Sequence, residues 1–140
     1  MKTRDWLLIT VNAAGDEGLS PVQLQKTLFL IGQTLNLKSF YNFTPYSYGP
    51  FDSQVYSDAE ELSANGQINI NYDKARTYPR YIISDKGQDQ SVVLEKKIKN
   101  TEVELVHKTT EFVKRLSFKQ LLKIVYEAYP SFAVNSIFKG

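Results

Sequence analysis

The sequence predicts a mainly α-helical fold with a small β-hairpin. Two observations carry that reading. A hydroxyl residue is followed three positions later by Gln or Glu at Ser20–Gln23, Thr101–Glu104 and Ser117–Gln120, the reciprocal pattern that opens helices. Between them a single short stretch alternates, with Ile68, Ile70 and Tyr72 and then Tyr81 and Ile83 spaced two apart, as on a half-buried strand pair. At 140 residues with 42% hydrophobic and 23% charged residues, the chain fits one folded domain and not a disordered one.

The elements follow in order. Helix one is expected from about Thr3 to Ala14, with Thr3 as N-cap, Trp6, Leu7 and Val11 as its inner stripe, and Gly15 closing it. Helix two opens at Ser20, with Pro21 at the first helical position, and buries Leu24, Leu28, Ile31 and Leu35 on one face. From Leu37 to Phe51 the periodicity stops. Six aromatics crowd into residues 40–51 with Pro45, Gly49 and Pro50, which reads as a loop pinned by its aromatics. Helix three runs from about Asp52 to Ala64, turns Val55, Ala59 and Leu62 inward, and ends at Asn65–Gly66.

The hairpin comes next, its polar tip running from Asp73 to Pro79. Ser84 or Asp85 caps a helix reaching about Lys99. Thr101 opens another through Val106, Val113 and Leu116. Ser117 opens the last long one, with Leu121, Ile124, Val125 and Ala128 inward and Pro130 as its stop. Ala133 to Phe138 adds a short apolar turn.

Three helices and a docked hairpin make a winged-helix-like core, followed by C-terminal helices. Tyr81-Ile82-Ile83-Ser84-Asp85-Lys86-Gly87 resembles the Tyr-x-Leu-Thr-x-x-Gly segment that closes the wing in many winged-helix regulators. The expected organisation is a single domain over 1–140, with the core at 1–87 and a helical extension at 88–140.

A second resemblance spans about Pro21 to Ser84. Leu24-Gln25-Lys26-Thr27-Leu28-Phe29-Leu30 is similar to the Leu-Gln-Lys-Leu-Leu-Tyr-Phe opening of the Panacea, or SocA-like, antitoxin-associated family. Phe43-Thr44-Pro45-Tyr46-Ser47-Tyr48-Gly49-Pro50-Phe51, then Val55-Tyr56 and Leu62 to Ile68, resembles that family's Tyr-Gly-Pro block. Thr27 departs from the family's aliphatic residue, and the C-terminal helices match less clearly. The resemblance implies a module that neutralises a toxin by direct binding or adapts it to a protease, in a prophage, toxin–antitoxin or defence setting.

Composition excludes several chemistries. Cysteine is absent, and His107 is the only histidine, so no metal site, cofactor or cysteine nucleophile is expected. Neither a Gly-rich phosphate loop nor a paired-carboxylate pattern is present, and no catalytic residue is assigned. No apolar run approaches the ~20 residues of a membrane helix, and the N-terminus lacks a signal-peptide pattern, so a cytoplasmic protein without membrane partners is expected.

The candidate contact residues divide by charge. Helix three carries Asp52, Asp58, Glu60 and Glu61 and no Lys or Arg, so it repels phosphates; with Gln54 it is read as a protein-docking face. Tyr41, Tyr46 and Tyr48 are amphipathic and suit an interface, while Gly49 and Pro50 set the turn into helix three and Phe51, apolar and just ahead of that helix, is expected in the core. Lys74, Arg76 and Arg80 at the wing are the candidates for phosphate contacts. Val103, Val106, Val113, Leu121 and Val125 either extend the core or form a homodimer interface. The leading expectation is a stoichiometric protein-binding module. The alternative is a winged-helix transcriptional regulator that binds DNA weakly.

Overall fold

A computed structural model describes residues 1–138. In chain order these form α1 (Thr3–Ala13), a 3-10 turn (Gly15–Glu17), α2 (Pro21–Leu35), β1 (Thr44–Tyr46), β2 (Gly49–Phe51), α3 (Ser53–Ala64), β3 (Ile68–Asn71), β4 (Arg80–Ile83), α4 (Asp85–Glu95), α5 (Asn100–Arg115), α6 (Phe118–Ala128) and a 3-10 turn (Pro130–Ala133). The fold is mainly helical, with two antiparallel strand pairs among the described residues.

Helix starts follow the chemistry of unpaired N–H groups. Ser20 Oγ accepts from the Gln23 N–H at 3.2 Å, and Gln23 Oε1 accepts from the Ser20 N–H at 2.9 Å. Ser117 and Gln120 repeat the exchange at 3.1 and 2.9 Å. Two expected caps are displaced. Thr3 is the first helical residue of α1, and the Asp5 carboxylate accepts from the Lys2 N–H at 2.8 Å. Thr101 lies inside α5, because Glu102 reaches back to the Lys99 N–H at 2.9 Å and starts the helix earlier. Helix α4 stops at Glu95 and not near Lys99: the Lys97 and Ile98 N–H groups close its end on the Leu94 and Glu95 carbonyls, and Lys99 is already extended (φ −70°, ψ 148°).

The β3–β4 hairpin pairs Ile68 with Ile83, Ile70 with Tyr81 and Asn71 with Arg80. Tyr72 falls outside it and is 78% exposed. The next position across from it is Pro79, which has no N–H to continue the ladder. Ser84 caps α4 and accepts from the Gly87 N–H at 3.1 Å. Gly87 is where α4 meets the strand: a Cβ there would lie 2.0 Å from the Gln67 carbonyl oxygen. This close approach accounts for a glycine at position 87.

Every residue from Trp6 to Val11 is buried, so α1 is the central helix and not one with a single inner stripe. Thr10 is accommodated there by donating to the Trp6 carbonyl at 2.7 Å. Around α1 gather Leu24 and Leu28 of α2, Val55 and Leu62 of α3, Leu94 of α4 and Val106 of α5. A second cluster centres on Phe29, whose ring meets Phe43, Tyr129 and Phe132 edge-on at 5.5, 5.0 and 4.7 Å. Val113, Leu121 and Val125 complete it and Val106 joins the first cluster, so these four extend the core, while Val103 is half-buried. On α6, Leu122 is fully buried whereas Ala128 is exposed, which corrects the expected inner face.

Candidate partner-binding site

The stretch expected to be a loop contains a hairpin. β1 and β2 pair Thr44 with Phe51, Pro45 with Pro50 and Tyr46 with Gly49, leaving Ser47 and Tyr48 as the turn. Neither turn residue has positive φ, so the turn is not of the primed type; Gly49 takes φ 90° at its end. The proline pair removes ladder donors, which kept the segment from reading as a strand.

Helix α2 and the C-terminal turn hold this hairpin in place. Gln25 clasps Asp52 twice, donating to its carbonyl at 2.9 Å and accepting from its N–H at 3.1 Å. The Ile137 N–H donates to the Ser47 carbonyl at 3.0 Å, and Asn135 donates to the Pro45 carbonyl at 3.2 Å. Tyr46 stacks on Phe51 at 5.0 Å, and Phe51 meets Tyr56 edge-on at 5.7 Å. Gly49 and Pro50 are buried, whereas Phe51, expected in the core, is only half-buried, its ring lying between Tyr46 and Tyr56. At the tip, Tyr46 and Tyr48 remain 57% and 42% exposed.

Two recesses flank this tip and share Val22 and Tyr48. The larger, about 550 Å³, runs between the α2 N-terminus, Tyr78 of the β3–β4 connection, and Leu116 and Phe118. Phe118 meets Tyr48 edge-on at 5.4 Å and is itself 42% exposed. The smaller, about 310 Å³, lies beneath the tip against Lys26, Phe51, Tyr56 and Ile137. Lys26 is 3% exposed, and its ammonium donates to the Pro50 carbonyl at 3.2 Å. Burial pulls its pKa down to about 8.

The other residues expected at a docking face sit elsewhere. Tyr41 and Asp58 are buried: the Tyr41 hydroxyl donates to Asp58 Oδ2 at 2.6 Å, and Gln54 donates to Oδ1 at 2.9 Å. Burial first, and the bond to Asp58 second, push the Tyr41 phenol far above its ordinary range. Asp52 caps α3, accepting from the N–H groups of Gln54 and Asn42 at 2.9 and 2.8 Å. Glu61 is exposed and pairs with Arg4. The acidic face of α3 is therefore smaller than the sequence implied, because two of its four acids serve the fold.

The cations of the β3–β4 hairpin are partly spent as well. Arg80 donates to the Glu17 carbonyl at 2.7 Å and the Gly18 carbonyl at 3.0 Å, which fastens β4 to the turn before α2. Arg76 donates to the Asn71 carbonyl and side-chain oxygens at 3.4 and 3.3 Å. Lys74 is exposed. His107 faces Glu95 at 3.3 Å, and among the described residues no three His, Asp or Glu side chains converge as metal ligands.

Sequence reasoning missed Lys26, Tyr78 and Phe118 at this surface. Lys26 was legible in part: Val22, Lys26, Phe29 and Leu30 recur at i, i+4, i+7 and i+8, a second stripe on α2 with one charge inside it. Tyr78 and Phe118 are brought to Tyr48 only by the fold. No protein-family model matches this chain, and no match is found among the curated proteins either.

Proposed function

We propose that this chain is a non-catalytic, winged-helix-like module of the antitoxin-associated kind, which binds and neutralises a partner protein in the cytoplasm. The observation that carries this is the exposure of Tyr46 and Tyr48 on a fixed hairpin tip between two recesses. Rigid aromatic side chains lose little entropy on docking and supply most of the binding energy at interfaces. The order α1 to α3 followed by the β3–β4 wing supports the winged-helix reading. So does Leu19, which pairs with Tyr81 through bonds of 3.0 and 2.8 Å as a single-residue bridge at the edge of the β3–β4 hairpin. Among the described residues, no helix is long and apolar enough to cross a membrane.

The DNA-binding alternative has less support. Helix α3 presents no cation, and the guanidinium of Arg80 is committed to backbone carbonyls. The test is capture with a tagged chain in three forms. A protein retained by wild type and by Lys74→Ala/Arg76→Ala, but lost by Tyr46→Ala/Tyr48→Ala, supports the module reading. Nucleic acid lost with the two basic residues, and no protein lost with the tyrosines, supports the regulator.

A further inference from the structure

We infer that the recess beneath the first hairpin is a carboxylate subsite, in which the Lys26 ammonium receives an acidic side chain of the partner protein. This rests on the docking reading above and specifies what the partner must carry.

An ammonium has three donors and no acceptor. Lys26 spends one on the Pro50 carbonyl, and it takes part in none of the ion pairs among the described residues. A side chain 3% exposed with donors unspent is costly to hold, because buried charges are ordinarily paired. The recess supplies room for the missing partner. Its volume of about 310 Å³ is at the lower end for ligand sites and fits one side chain. Val22, Phe51, Tyr56 and Ile137 give it mainly apolar walls, so a charge–charge hydrogen bond there is poorly screened.

The chemistry of the walls selects the anion. One cation among aromatic and aliphatic groups matches a single negative charge on a short methylene stem, as in Glu or Asp. A phosphate would bring a second charge with no second cation to meet it. The position fits as well. The recess opens beside Tyr46 and Tyr48, so a partner covering the tyrosines is placed to insert an acid at Lys26.

The test uses butyrate as probe, butyramide as its uncharged isostere, and inorganic phosphate as a competing anion. Lysine side chains are labelled at Cε and read by NMR. Butyrate is expected to give a saturable shift of the Lys26 signal that butyramide and phosphate do not reproduce. A butyramide or phosphate response equal to that of butyrate, or no saturable response to butyrate, overturns the subsite. In the capture assay, Lys26→Met is expected to weaken the partner about tenfold or more. If Lys26→Met retains the partner at full affinity while the tyrosine variants lose it, the subsite is wrong and the docking surface stands. If butyrate saturates Lys26 but the tyrosine variants lose no protein, the docking surface is wrong and the anion site stands.

Discussion

The Tyr41 hydroxyl stands 2.6 Å from Asp58 Oδ2 of α3, and both residues are buried. The pair ties the segment after α2 to α3, with Gln54 and the Thr3 hydroxyl as further donors at 2.9 and 3.4 Å. Tyr41→Phe removes the shortest of these bonds and leaves a buried carboxylate short of a donor. It is expected to destabilise folding by about 1–3 kcal/mol in chemical denaturation, without changing partner capture.

Lys26 gives a pH signature. Its folded pKa is about 8 against the ordinary 10.5, so above pH 8 the native state sheds a proton that the unfolded chain keeps. Stability then rises with pH, by up to about 3 kcal/mol between pH 7 and 10. Above pH 10 the opposite term enters, because Tyr41, Tyr56 and Tyr81 are raised in the fold and ionise first in the unfolded chain. Lys26→Met is therefore expected to be more stable than wild type at pH 7, with the gap closing towards pH 10. A gap independent of pH contradicts the burial of a charged amine.

Three alanine variants separate framework from contact. Phe29→Ala empties the centre of the second cluster and is expected to cost about 3–5 kcal/mol. Phe51→Ala removes a half-buried ring that supports Tyr46 and is expected to cost about 2 kcal/mol, less than a full core loss. Tyr46, 57% exposed, is expected to tolerate alanine within about 1 kcal/mol. Thermal melts check the order; a Tyr46→Ala variant that melts as early as Phe29→Ala makes the tip structural.

Much of the architecture was legible because helix starts obey local chemistry. Ser20, Ser84 and Ser117 cap where their spacing to Gln23, Gly87 and Gln120 places them. The hairpin at Thr44–Phe51 was not legible, since Pro45 and Pro50 are opposite each other and mask the alternation. The site was half legible. Tyr46 and Tyr48 are exposed on their own element, but Tyr41 and Asp58 find each other across 17 residues, and no local pattern signals such a pairing. Exposed-looking acids on an amphipathic helix take their burial from the neighbour that packs on them.

Arg80 is expected to act on stability and not on nucleic-acid affinity. Its bonds to the Glu17 and Gly18 carbonyls fasten β4, so Arg80→Ala costs about 1–2 kcal/mol, whereas Lys74→Ala is neutral within about 0.5 kcal/mol. Any duplex binding is expected to be weak and to fall steeply with salt, because it rests on phosphate contacts. Urea denaturation and a salt titration of duplex binding check the two halves.

The most direct test of the docking surface is site-specific photo-crosslinking in the source cell. A photoreactive aromatic residue replaces Tyr48 at the first hairpin's tip, the exposed Glu60 on α3, or Lys74 in the β3–β4 connection. A discrete adduct with one protein from position 48, and none from position 60 or 74, is the expected result. Protein adducts from position 60, or nucleic-acid adducts from position 74, with none from position 48, would contradict it.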